Sequence, residues 1–239
     1  MGQSFFIFND IDSRSRGVIL RGPAPIVRPE ERVKHVEIPG RSGDLTETEG
    51  TNIFNSYIQT VSMSVRGWQN VREIYKWLRG SGYVTFSGEP DRKQAARVIG
   101  AITLTRISRN MDRWAGECQF YCQPLKQLLA EEKVTISSSG TSVRNNGDVT
   151  CKPMWKVTVA TGNTSITLAA GGKSITVTGL TAESYYWVDS DSMEVWNSEK
   201  TGLITVNSAG DFPVLNPGAN SVTGSGWSSV EIEKRERYL

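Results

Sequence analysis

Apolar and polar side chains alternate along most of this chain, in short runs separated by turns rich in glycine, proline and asparagine. Period-two runs predict strands, because successive side chains of a strand point to opposite faces. Phe5–Phe8 and Val18–Leu20 predict a first hairpin, joined through Asn9-Asp-Ile-Asp12 and a basic loop. Ile26–Pro29 and Arg32–Ile38 follow, and in the second Lys34, Val36 and Ile38 alternate with Val33, His35 and Glu37 to give one apolar face. Pro39-Gly-Arg-Ser-Gly-Asp44 is turn chemistry. Thr51–Arg66 carries Ile53, Tyr57, Val61, Met63 and Val65, and strands follow at Tyr83–Ser87, Ala95–Thr105 and Trp114–Cys122, the last closing before Pro124. Glu89-Pro-Asp-Arg92 is the turn between the first two of these.

One segment has helical spacing. Val71, Ile74, Tyr75 and Leu78 recur at i, i+3, i+4 and i+7, a single apolar stripe. Asn70 is placed to cap its start, with Glu73 in the capping-box position, and Gly80 to close it in the left-handed region.

Residues 125–133 read as a connector, and Ser137–Ser142 and Asn145-Asn-Gly-Asp148 as a boundary region. Beyond it the strands are shorter: Met154–Ala160, Ser165–Ala169, Ser174–Gly179, Tyr185–Asp189, Met193–Asn197 and Gly202–Val206. The final stretch, Gly210–Leu239, holds a proline-interrupted apolar run (Phe212–Leu215), a turn at Asn216-Pro-Gly-Ala-Asn220 and strands at Ser221–Thr223 and Trp227–Glu233. Lys234-Arg-Glu-Arg-Tyr-Leu239 reads as the tail of that last strand. Many short strands at such spacing predict a β-sandwich. The chain is therefore expected to be mainly β, with a helix-bearing domain over residues 1–130 and a second β-domain over 131–239.

Composition narrows the function. Of 239 residues, 27 are basic and 25 acidic, net +2. Residues 1–130 hold 18 basic and 13 acidic (+5), and residues 131–239 hold 9 and 12 (−3). Neither half has the dense basic stripe of a sequence-reading DNA binder. No apolar run approaches the ~18 residues of a membrane helix. The start, Met1–Asn9, lacks the basic region of a signal peptide. A soluble protein made in a cytoplasm is expected. Cys118, Cys122 and Cys151 are an odd set at spacings that do not suit a disulfide framework, and read as small core residues.

Candidate chemistry is sparse. His35 is the single histidine, without a G-x-S-x-G elbow, so no catalytic residue and no metal site is assigned. Asp189-Ser-Asp191 and Asp211 lack the loop spacing of a calcium site and read as turns. Trp187, Trp196 and Trp227, with Tyr185 and Tyr186, pack a sandwich or stack on sugars, so these three tryptophans are the candidate carbohydrate-binding residues. Arg92, Lys93, Arg97, Arg106, Arg109 and Arg113 read as a solvated or subunit-facing surface.

Three blocks carry a family resemblance. Ile38-Pro-Gly-Arg-Ser-Gly-Asp-Leu45 resembles a P-G-R-D-G-x-L turn, with Ser42 in place of the usual Asp. Val61–Phe86, followed by Pro90-Asp-Arg92 and Phe120-Tyr-Cys-Gln-Pro124, resembles a strand–helix–strand unit closed by F-x-C-x-P, here continuing with Leu125-Lys126 where an aromatic is common. Asn145-Asn-Gly-Asp148 with Lys152-Pro-Met154, and then G-x-F-P-x-L-x-P-G-x-N over Gly210–Asn220, complete the set. Together they resemble the distal tail proteins of long-tailed bacteriophages. The resemblance implies a tail-tube-like β-sandwich flanked by one helix, then a galectin-like or carbohydrate-module-like β-sandwich. It implies a non-enzymatic baseplate hub without cofactor: six copies in a ring, at the distal end of the virion tail, passing DNA. Tail-tube protein, tape-measure protein, the tail-associated lysin or tail-tip hub and receptor-binding proteins would be its partners. A host-surface carbohydrate-binding module is the alternative.

Overall fold

The structure is a computed structural model that describes residues 4–48, 50, 52–107 and 111–239, with the backbone alone of Val206. Thr51, at the start of a predicted strand, and Arg109 lie outside the described residues. The chain forms two compact units, one running to Leu129 and one from Ala130 to Tyr238.

The first unit contains β1 (Phe6–Phe8), β2 (Ile11–Asp12), β3 (Val18–Leu20), β4 (Val33–Val36), β5 (Leu45–Thr48), β6 (Tyr57–Arg66), helix α1 (Trp68–Trp77), β7 (Ser81–Phe86), β8 (Arg92–Ile99), β9 (Leu104–Arg106) and β10 (Arg113–Leu128). One antiparallel sheet runs in the order β2-β1-β7-β8-β10-β6-β3, with β9 also pairing β10. In a flat sheet β1 and β10 would lie about 14 Å apart, three strand spacings of ~4.8 Å. Yet the rings of Phe6 and Phe8 each lie 5.5 Å from that of Phe120. The sheet therefore folds over itself and encloses one core between its two halves. Phe6, Phe8, Met63, Ile74 and Phe120 are fully buried in it. Cys118, Phe120 and Cys122 share the inward face, as their parity predicts.

Helix α1 packs on this core through Val71, Ile74 and Trp77. Trp77 stacks on Phe6 at 5.4 Å, and its indole N–H donates to the Phe8 carbonyl at 2.9 Å. Two features differ from expectation. Tyr75 is exposed, and Trp77 joins Val71, Ile74 and the expected Leu78 in the buried stripe. The predicted Asn70–Glu73 capping box is absent: Gly67 is the N-cap residue, and the Trp68 N–H donates to Asp112 at 2.8 Å, a carboxylate 44 residues away. Asn70 instead donates to the Arg66 carbonyl, and Glu73 pairs with Lys76.

The predicted hairpin of Phe5–Phe8 with Val18–Leu20 does not form. Asp12 accepts from the Arg14 N–H and opens a 3-10 turn at Ser13–Arg16, which Gly17 closes at φ +68°. The chain is turned away, so β1 pairs with β2 and β7 while β3 pairs with β6 at the opposite edge. β10 also runs further than predicted, through Pro124 to Leu128. Its pairing with β8 shifts register between Cys122 and Lys126, an irregularity that accommodates the missing proline N–H.

The second unit contains β11 (Lys133–Ile136), β12 (Thr141–Asn145), β13 (Met154–Val159), β14 (Ser165–Ala170), β15 (Lys173–Thr178), β16 (Tyr185–Asp189), β17 (Glu194–Trp196), β18 (Ser208–Gly210), β19 (Gly218–Ser225) and β20 (Trp227–Glu233). They build two five-stranded antiparallel sheets, β11-β20-β13-β16-β17 and β12-β19-β14-β15-β18. Alternate residues of both, among them Trp155, Val157, Leu168, Ile175, Val188 and Ile232, form a single core. Neither β11 nor β12 is among the expected strands: β11 starts at the last residue of the connector, and β12 lies in the boundary region. Gly202–Val206 is not a strand: Leu203 makes one bridge to Trp196, and Thr205–Asn207 is a 3-10 turn. Phe212–Leu215 is extended, with one bridge from Leu215 to Cys151.

Candidate functional site

The outer face of the first sheet of the second unit collects its aromatic side chains. On β16, Val188 is in the core and Tyr186 packs against it, so Tyr185 and Trp187 point outward. On β17 the core residue is Val195, which leaves Trp196 outward. The register sets Glu231, Lys156, Trp187 and Trp196 side by side across four strands. Tyr185 meets Trp187 edge-on at 6.3 Å. The Lys156 ammonium lies 4.4 Å from the Tyr185 ring centre and 5.6 Å from that of Trp187, and Lys200 sits 4.0 Å over Trp187. The Trp187 indole N–H donates to the Ser198 carbonyl at 3.1 Å, which fixes the ring.

Trp227 is not part of this face. It is buried, pairs with Val159 beside the irregularity between Thr158 and Val159, and donates its indole N–H to the Thr167 carbonyl of the opposite sheet at 3.2 Å. The structure thus brings Trp187 and Trp196 together and places Trp227 in the core wall.

The sequence motifs of this unit meet in a buried polar cluster. The Asn145 amide donates to the carbonyls of Val149 (3.1 Å) and Leu215 (2.9 Å), and its oxygen accepts from the Gly147 N–H at 2.8 Å. Glu236 accepts from the Asn146 N–H (2.9 Å) and the Tyr238 hydroxyl (2.6 Å) and pairs with Lys234 at 2.8 Å. Burial alone would raise the Glu236 carboxyl, but the Asn146 N–H, the Lys234 ammonium and the Tyr238 hydroxyl outweigh it and hold it below the ordinary range. A Cβ at Gly147 would sit 2.6 Å from the Arg237 carbonyl, so only glycine admits the segment that follows β20 here. Arg235 forms a two-pronged pair with Asp189 at 2.8 and 3.3 Å. Burial again opposes, and that pair with the Asp191 and Ser192 N–H groups lowers Asp189. Asn220 braces the Asn216–Asn220 turn by accepting from the Asn216 N–H and donating to the carbonyls of Asn216 and Gly218.

The first unit presents a different surface. Among the described residues, 13 of the 16 exposed large apolar side chains belong to it. Ile58 and Tyr121 are register partners on the outer face of β6 and β10, and Arg97 of β8 continues the row. Tyr83 lies on the same sheet under the Lys93 ammonium at 5.1 Å. Among the described residues β4 and β5 pair only with each other, from Val33–Thr48 to Val36–Leu45, and within residues 33–48 every side chain but Val33 and Val36 is exposed. An isolated two-stranded ribbon is marginally stable in water. His35 lies on this ribbon, 3.4 Å from the Thr46 hydroxyl. The basic set disperses: Lys93 and Arg97 on β8, Arg92 paired to Glu89, and Arg106 and Arg113 on β9 and β10. A cavity of about 20 Å³ beneath Ala24–Val27 holds the buried Gln59 and Gln94 and has room for one water.

No family model matches the chain, and no curated protein does. Solved structures do. The crystal structure of the SPP1 Dit (gp 19.1) protein, described as a paradigm of the hub adsorption apparatus in phages infecting Gram-positive bacteria, aligns with a TM-score of 0.81 at 17% identity over 100% of both chains. The chain has the Dit fold. A chain of the phage p2 baseplate, in its activated conformation with Sr, aligns with a TM-score of 0.51 at 9% identity, covering 98% of this chain and 99% of that one.

The mainly β architecture expected from the strand pattern is the Dit architecture. Sequence reasoning missed Lys156 and Lys200, which nothing in a linear pattern ties to Trp187. It also missed the inward turn of Lys234, Glu236 and Tyr238, whose signal was present: they continue the alternation of Val230 and Ile232.

Proposed function

We propose that this protein is a structural hub subunit of a phage tail, six copies of which close into a ring at its distal end. The observation that carries this reading is the fold likeness to the SPP1 Dit protein over the full length of both chains. The surface agrees with it. A cyclic ring needs two different complementary patches on each subunit. The first unit offers an exposed ribbon without a sheet to lie on and a sheet face bearing Ile58, Tyr83 and Tyr121. In this reading residues 1–130 build the ring around the DNA path and residues 131–239 stand as an accessory domain. Tail-tube, tape-measure, tail-tip hub or lysin, and receptor-binding proteins are the partners, in the virion, after synthesis in the host cytoplasm. No catalytic role is assigned. Light scattering and negative-stain microscopy of the purified protein test it. The expected particle is a ring of about six times the 26.4 kDa chain, and a monomer at all concentrations with no rings would overturn the reading.

A second reading, host-glycan binding by the second unit, is favoured by the outward pairing of Trp187 with Trp196. A binding assay on host cell-wall glycan with Trp187→Ala and Trp196→Ala tests it, and binding indifferent to both substitutions refutes it.

A further inference from the structure

We infer that the aromatic face of the second unit is selective for acidic glycans, sugars carrying carboxylate or phosphate groups, over neutral ones. The inference rests on the glycan-binding reading and adds the ligand's charge. Two ammonium groups, Lys156 and Lys200, converge on Trp187 from β13 and from the turn after β17. Neither has a carboxylate within ion-pair distance among the described residues, although the unit as a whole is acidic, with 12 acidic and 9 basic side chains over residues 131–239. The nearest carboxylate in register, Glu231, is engaged by Lys133 at 3.3 Å. The lysines are instead held by rings and by sulfur, with the Lys200 ammonium 3.2 Å from the Met154 sulfur. Such contacts position an ammonium while leaving its charge uncompensated. Trp196, Trp187 and Lys156 occupy adjacent strands, so ring faces and cations lie side by side over about 10 Å, two strand spacings. A sugar ring laid along Trp196 and Tyr185 brings a ring substituent to the two ammonium groups. A neutral sugar that displaces Lys200 from Trp187 returns only a hydroxyl acceptor for it, whereas an acidic one draws the lysine outward into a hydrogen bond between opposite charges.

The test is calorimetric titration of the whole protein with three trisaccharides: trigalacturonate, phosphorylated maltotriose and plain maltotriose. At least one acidic trisaccharide is expected to bind saturably at 50 mM NaCl, at least ten-fold more tightly than maltotriose, and to weaken at least ten-fold at 500 mM NaCl. The double variant Lys156→Gln, Lys200→Gln, whose substitutions lie at the surface, should abolish that preference while melting at the parent temperature. Maltotriose binding as tightly as the acidic sugars would overturn the charge selectivity and leave the glycan reading standing. No binding of any of the three would remove both. Acidic binding unchanged by the double variant, or insensitive to salt, would place it elsewhere and overturn the inference.

Discussion

Glu236→Gln is expected to be the most costly conservative substitution in the second unit. The side chains of Glu236 and Lys234 are 4% and 5% exposed, and their contact at 2.8 Å is a buried ion pair. Glutamine keeps the shape and still accepts from the Asn146 N–H, but it leaves the Lys234 ammonium with only the Arg144 carbonyl at 3.2 Å and the exposed Glu132 at 3.5 Å. Breaking such a pair from one side costs up to about 3–5 kcal/mol, because a buried charge loses its nearest and best-shielded counter-ion. Against a domain stability of ~5–15 kcal/mol the loss is large. At ~4–8 °C per kcal/mol for a domain of this size, a loss of ~3 kcal/mol amounts to a drop of at least ~12 °C in melting temperature. Differential scanning calorimetry of the intact protein reads it as a shift of one transition. Lys234→Met added to Glu236→Gln should recover much of the loss, since the pair then disappears from both sides. A shift below ~3 °C for the single variant, or no recovery in the double, would refute the reasoning. The same carboxylates set an acid limit. Glu236 and Asp189 titrate below their ordinary values of 4.5 and 3.8 in the folded chain. Their stabilisation is therefore complete above those values and is lost as the pH falls through the lower folded ones. Glu131, raised by burial and by Glu233, works in the opposite direction and offsets part of the loss.

Two further outcomes concern the first unit and the thiols. Asp112→Ala removes the acceptor for the Trp68 N–H and for the Trp114 indole, both at 2.8 Å, and should lower the melting of the first unit measurably but by less than Glu236→Gln lowers that of the second; an unchanged transition would show that α1 does not depend on this cap. Burial pushes the thiols of Cys118, Cys122 and Cys151 up to about 12, so a thiol reagent at pH 8 should label none of the three in the native protein and all three in denaturant, and fast native labelling would contradict the packing.

Strands with one face in a core announced themselves in the sequence. Met154–Val159, Ser165–Ala170 and Cys118–Cys122 alternate because burial falls on every second side chain. Partners did not. Phe6–Phe8 and Val18–Leu20 have the composition of a hairpin, and only the turn at Ser13–Gly17 sends them to different neighbours. The cap of α1 lies 44 residues from the residue it holds, beyond any local pattern. Trp227 looked like Trp187 and Trp196 as a residue type. Its face was decided by a register irregularity between two strands, which a single run of residues does not encode. Of the candidate site, the tryptophans on β16 and β17 were legible, whereas the lysines that give the face its charge come from β13 and a turn and meet Trp187 only after folding.

The pairing of β11 with β20 places Lys133 directly opposite Glu233. The first and last strands of the second unit thus lie side by side and antiparallel, and Lys234–Tyr238 then close against the unit's own Asn145–Asp148 segment. A domain closed in this way is a cassette: it occupies the space of a loop in whatever chain carries it. It can be lifted out, replaced by another fold or moved into a surface turn of an unrelated protein with only a short splice at each side, and its ends can be joined and the chain reopened elsewhere.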